Sequence, residues 1–187
     1  MIIAAGTTRA RIALSVYTLS LTGLFGASAL YHRINWRSAT ARGWTRRLDH
    51  SMIFVLIAGS YTPFAMLVLH GPLAIAILVV VWAGALLGVG FNLVWSDAPT
   101  WLHAALYVCL GWVAVAALPQ LAGAIGIGGM VLLALGGVLY TLGAVVYAVK
   151  RPDPVPSVFG YHEVFHGLVI AAAALQCAVI AFWVIPA

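Results

Sequence analysis

Charge is what this chain lacks. Of its 187 residues 7% are charged, four acidic side chains against nine lysines and arginines, while 64% are hydrophobic. An ordinary soluble domain is about a quarter charged, so a water-soluble exterior is excluded and the chain reads as an integral membrane protein. Cysteine is scarce as well. Cys109 and Cys177 are the only two, both inside apolar runs, which rules out a disulfide framework and leaves two small packing residues. The alternation of a membrane barrel is missing, because the hydrophobic runs are continuous. No charged start is followed by a short apolar core and a cleavage site, so no cleavable signal peptide is expected. Internal repeats and low-complexity tails are absent too. The net charge of +5 does not point to nucleic acid here; it reads as arginines facing a cytoplasmic membrane surface.

What is present is a series of long apolar segments. A spanning helix needs roughly 20 mostly apolar residues, and six stretches come close: about Arg11–Tyr31, Asp49–Leu69, Leu73–Val94, Leu102–Leu118, Gly128–Val149 and Tyr161–Ile185. The fourth is the shortest. Turn chemistry separates them at His70–Pro72, Ser96–Thr100, Pro119–Gly123 and Lys150–Ser157. The expected fold is all-α, one polytopic helical-bundle domain over residues 1–187. If the segments alternate across the bilayer, Arg33, Arg37, Arg42, Arg46, Arg47, Lys150 and Arg151 share one side, and only Arg9 and Arg11 lie on the other. The positive-inside rule makes the first side cytoplasmic. Trp36, Trp44, Trp95 and Trp101 fall in or beside those same loops, where an aromatic belt is expected. Trp82, Trp112 and Trp183 read as packing residues. Gly84 and Gly88 fit small-residue helix packing, and Pro63 is expected to kink the second helix.

Polar side chains within such helices are costly and mark functional candidates. His162 and His166 are four apart, on one helical face, in the pattern His-Glu-x-x-His that suits two imidazoles on one metal. Ser28 and His32 repeat the four-residue spacing at the end of the first segment. Asp49 opens the second segment; taken alone, it reads as a helix cap or as a partner for Arg46 or Arg47. The alternating topology puts His32, Asp49, His162 and His166 at similar depth on the cytoplasmic side. Three histidines there would suit zinc and leave a fourth position for water, with a carboxylate to hold or deprotonate it. In soluble zinc proteases of this pattern the glutamate, here Glu163, is the general base. No His, Asp or Glu follows His166, so a third ligand must come from elsewhere, and Asp49 is the better base. Glu163 would then face the headgroups or a neighbouring helix. His50 points about 100° away from Asp49 and reads as interfacial. His103 is a reserve ligand, and His70 belongs to the opposite face.

Three blocks now carry a resemblance. "SALYHRINW", "RRLDHSMIFVLIAGSYTPF" and "FGYHEVFHGLVIAA" resemble the signature blocks of the hemolysin III group of the progestin and adipoQ receptor family. The similarity runs from about Ser15 to the C-terminus and includes "VLYTLGAVVYAVKRPDP", Val138–Pro154. It implies a seven-helix bundle with zinc near the cytoplasmic side, held by His32, His162 and His166. Asp49 and Ser28 would contact a zinc-bound water or shape its surroundings. Six spans are counted here; the missing one is the first, since Met1–Thr8 is too short to cross. The wider superfamily implies hydrolysis of ceramide-like lipid amides. The expected function is therefore a zinc-dependent lipid amide hydrolase with membrane lipids as partners. The alternatives are a sensor or regulator with structural zinc, and a membrane-permeabilising hemolysin; the last is disfavoured because no helix shows a long polar stripe.

Overall fold

The computed structural model describes residues 6–185, so most of Met1–Thr8 lies outside the described residues. Helices dominate: α1 Thr8–Arg33, α2 Ala39–Leu67, α3 Gly71–Val94, α4 Thr100–Gly111, α5 Leu118–Val149 and α6 Tyr161–Val179. Among the described residues there is no strand, only one isolated bridge between Val155 and Phe159. The chain forms two compact units, Met1–Asp97 and Ala98–Ala187. In the first, α2 packs against both α1 and α3; in the second, α5 packs against both α4 and α6.

Among the described residues five helical runs are long and apolar enough to cross a membrane, against six expected segments. The difference lies between Thr100 and Val149, which form one run of 50 residues. Straight, it would reach about 75 Å, far more than the roughly 30 Å hydrocarbon layer. It doubles back at Gly126, whose backbone is non-helical: α4 lies against α5, and the Trp112 indole N–H donates to Thr141 Oγ1, beyond that glycine, at 3.2 Å. The run thus holds both the fourth and the fifth expected segments: α4 continues through a 3₁₀ stretch at Trp112–Ala117 into the first residues of α5, and the return helix follows Gly126. The break expected at Pro119–Gly123 is not one. Pro119 sits in the first turn of α5, where its missing N–H has no helical partner to lose. The interruption comes instead at Gly126, with φ 61 and ψ −176, a conformation that suits only glycine.

The start of the second helix also differs. It begins at Ala39, ten residues before Asp49, with the Ser38 side chain accepting from the Ala41 N–H at 3.4 Å. Hydropathy marks the apolar depth of a helix, whereas its hydrogen bonding continues into the polar layer, so the spanning stretch understates the element. Pro63 is accommodated inside α2, which runs on to Leu67.

Small residues set the helix spacing. A Cβ on Gly59 would stand 2.1 Å from Ser20 Oγ, and one on Gly88 would stand 2.5 Å from the Phe54 ring. In the second unit, a Cβ on Gly143 would meet Leu168 at 3.5 Å, and one on Gly136 the Ala172 carbonyl at 3.5 Å. Close backbone approach of this kind replaces the hydrophobic drive that lipid removes. On α3 the buried residues Ala74, Ile77, Val81, Ala85, Gly88 and Asn92 recur every three or four positions, a single packed stripe. Its other faces expose Ile75, Val79, Leu86, Leu87 and Val94, the surface expected of a helix solvated by lipid.

Gly88→Ala will lower thermal stability in detergent by about 1–3 kcal/mol, because the buried Phe54 ring cannot move aside freely. Gly90, two residues on, has nothing within 4 Å of an added Cβ, and Gly90→Ala will be neutral or mildly stabilising. Equal melting temperatures for the two variants would contradict the packing described.

Candidate metal centre

Four carboxylates are available to the chain, and the structure gives each a partner. Asp97 pairs with Arg46, whose guanidinium also reaches the Ser96 carbonyl at 3.4 Å. Asp153 Oδ1 accepts from the Tyr161 N–H at 2.9 Å. Glu163 Oε2 accepts from the Gly160 N–H at 2.8 Å. Asp153 and Glu163 therefore satisfy two of the first N–H groups of α6, which have no partner within the helix. This settles where Glu163 points: back to its own helix start, in a capping arrangement. The sequence reading sent it to the headgroups or a neighbouring helix; the Gly160 and Glu163 spacing, an N-cap and its third helical residue, was the signal for the cap.

Asp49 is different. It is 6% exposed and lies ten residues inside α2, so it caps nothing; Ser38 does. Nor does it pair with the neighbouring arginines. Arg46 is taken by Asp97, and Arg47 stacks on Trp44 at 5.0 Å from the ring centre. Asp49 instead accepts a hydrogen bond from the Ser28 side chain, and its Oδ2 lies 3.8 Å from His32 Nε2. The end of α1 is what positions these partners. After Arg33 the chain turns extended at Ile34, and the Trp36 indole N–H donates back to the Leu30 carbonyl at 3.1 Å, tying down the last turn. Tyr31 packs edge-on to His32, ring centres 4.6 Å apart.

At the start of α6 the four-residue spacing works as the sequence indicates. His162 and His166 Nε2 atoms are 3.1 Å apart, with rings nearly perpendicular at 85°. Phe165 and Tyr147 frame them, with the Tyr147 and His162 ring centres 6.3 Å apart. These aromatic supports, Tyr31 and Tyr147, carry no pattern in the sequence that singles them out from core residues.

His32, His162 and His166 form a group that could hold a metal ion: each offers one ligand atom, and these atoms all lie within 4.8 Å of one another. Two nitrogens on a tetrahedral zinc stand about 3.3 Å apart, given bonds of about 2.0–2.1 Å. The His162–His166 pair already meets that spacing. Three neutral imidazoles are also a donor set that zinc accepts. His103 is 2% exposed and is not a member of the group.

A family profile described as haemolysin-III related matches residues 1–177. The chain belongs to the haemolysin III family. It is 31% identical to a Hemolysin-3 homolog of Bacillus subtilis over 172 residues, 92% of this chain and 77% of the relative. It is 32% identical to Hemolysin-3 of Bacillus cereus over 181 residues, 97% of this chain and 79% of the relative. The human monocyte to macrophage differentiation factor is 26% identical over 164 residues, 86% of this chain and 66% of that protein. Membership of this family and five apolar helices make the haemolysin III chain a multi-pass membrane protein.

Because Glu163 caps α6, Glu163→Ala will cost about 1 kcal/mol or less of stability, and the metal content measured on the purified variant will equal that of the wild type. A metal content lower than the wild type's would place Glu163 in the candidate metal site.

Proposed function

We propose that this haemolysin III protein is a zinc-dependent hydrolase of lipid amides of the ceramide type, with its site near the cytoplasmic face. One observation carries the reading: a group of three imidazoles within ligand distance of one another, one of them 3.8 Å from a buried carboxylate. Bound zinc would supply a Lewis acid and a water whose pKa is lowered to about 7. His32, His162 and His166 would hold it. Asp49, one oxygen near His32 and the carboxylate hydrogen-bonded by Ser28, would take a proton from the attacking water and return it to the leaving amine. Ser28 would keep that carboxylate oriented. The acyl chain would lie along apolar helix faces, which also exclude competing water.

The 3.8 Å approach of Asp49 to His32 supports a second reading as well. A carboxylate so close could serve as a fourth ligand and close the site, making the zinc structural in a sensor or regulator. The name Hemolysin-3, carried by the Bacillus cereus relative, adds membrane permeabilisation as a third; leakage of vesicles that survives loss of His162 and His166 would favour it.

Asp49→Asn separates the first two. In the hydrolase, the variant keeps its zinc while release of fatty acid from ceramide falls by about 100-fold or more. If Asp49 is a ligand of a structural zinc, the same variant loses metal and thermal stability, and the wild type shows no turnover. Fatty acid release that persists after complete zinc removal would refute the proposed chemistry.

A further inference from the structure

Buried polar groups in a native protein find hydrogen-bond partners, and each exception needs an explanation. Arg47 Nε, Ser51 Oγ and both side-chain polar atoms of Asn92 are buried without one. These residues are not scattered. Arg47 and Ser51 are four apart on α2 and share a face, and Phe54 continues that stripe. Phe54 packs on Gly88 of α3. The two helices are joined by a short turn at Val68–His70 and run antiparallel, so one turn from that contact toward the same end lie Ser51 on α2 and Asn92 on α3. Asn92 occupies the buried stripe of α3 at 1% exposure. The seam between α2 and α3 thus carries, in sequence, an apolar contact, two buried neutral polar side chains and a half-buried arginine.

The nearby charges do not neutralise that arginine. Asp97 is held by Arg46, and Asp49 lies about 160° around the helix from Ser51, bonded to Ser28. Arg47 itself rests on the Trp44 face, which fixes its plane without supplying an acceptor. A guanidinium, a hydroxyl and a carboxamide together offer several donors and one positive charge, the donor set that recognises an oxyanion. The Asn92 carbonyl oxygen remains to accept from a hydroxyl.

We propose that Arg47, Ser51 and Asn92 form a binding site for a phosphate group bearing or adjoining a hydroxyl, entered past Arg47 at the α2 end of the seam. Phosphate of this kind comes from two sources, a phosphatidylglycerol headgroup or free inorganic phosphate. The site stands independently of the zinc chemistry, since it shares no residue with the metal group.

The purified chain in phosphatidylcholine nanodiscs is melted with added inorganic phosphate, with sodium chloride of matched ionic strength, and after replacing a third of the lipid by phosphatidylglycerol. The site raises the melting temperature by several degrees with phosphate, identifying a soluble ligand, or with phosphatidylglycerol, identifying a headgroup. That rise disappears in Arg47→Gln and in Asn92→Leu, and sodium chloride does not reproduce it. Without ligand, Asn92→Leu melts no lower than the wild type, because it removes an unsatisfied amide at similar volume. No rise in either arm, an equal rise with sodium chloride, or a rise retained in both variants overturns the proposal. So does a lower unliganded melting temperature for Asn92→Leu, which would mean that the amide is already satisfied.

Discussion

A chain solvated by lipid must satisfy every polar group from within, and this one has four carboxylates with which to do it. Their placement organises the polar layer of both units. Asp97 fastens the turn after α3 to α2 through Arg46. Asp153 and Glu163 close the start of α6 by accepting from successive backbone N–H groups. These three carboxylates are fully explained by helix ends and a turn. Asp49 is not: it is buried in the middle of a helix, with a serine and an imidazole as partners. A helix does not need that arrangement, and its cost in an apolar setting is the reason to assign it chemistry.

Much of this was legible in the sequence. Continuous apolar runs of about 20 residues gave the helices, and the four-residue spacings of Ser28 with His32 and of His162 with His166 put each pair on a common face. Element ends were less legible. Taken alone, Asp49 reads as a cap because apolarity starts there, while the helix starts at Ala39 with Ser38 as its cap, where hydrogen bonding begins. Pro119 reads as a break, yet proline is tolerated in the first turn, and the true interruption at Gly126 depends on a backbone conformation that no residue pattern announces. Glu163 was obscured by its own motif: His-Glu-x-x-His draws attention to catalysis, whereas the glycine three residues before it signals a cap.

Two sets of polar groups that no helix end explains stand out. One is the histidine group with Asp49 and Ser28, a donor set matched to a divalent ion and a proton acceptor. The other is the Arg47–Ser51–Asn92 seam, a donor set matched to an oxyanion. Both involve the first ten to fifteen residues of α2, where the helix passes from its polar start into its apolar length. Side chains at that level can be buried and yet remain near the polar layer, which permits chemistry on the polar end of a lipid while its chains stay among apolar residues.

The central claim is that the three imidazoles bind one metal ion together, and X-ray absorption at the zinc edge of the purified chain tests it most directly. The account predicts about one zinc per chain, with three imidazole nitrogens at about 2.0–2.1 Å, and loss of that signature in His32→Ala. A chain that binds no zinc, or one whose zinc keeps an unchanged shell when His32 is removed, would contradict it.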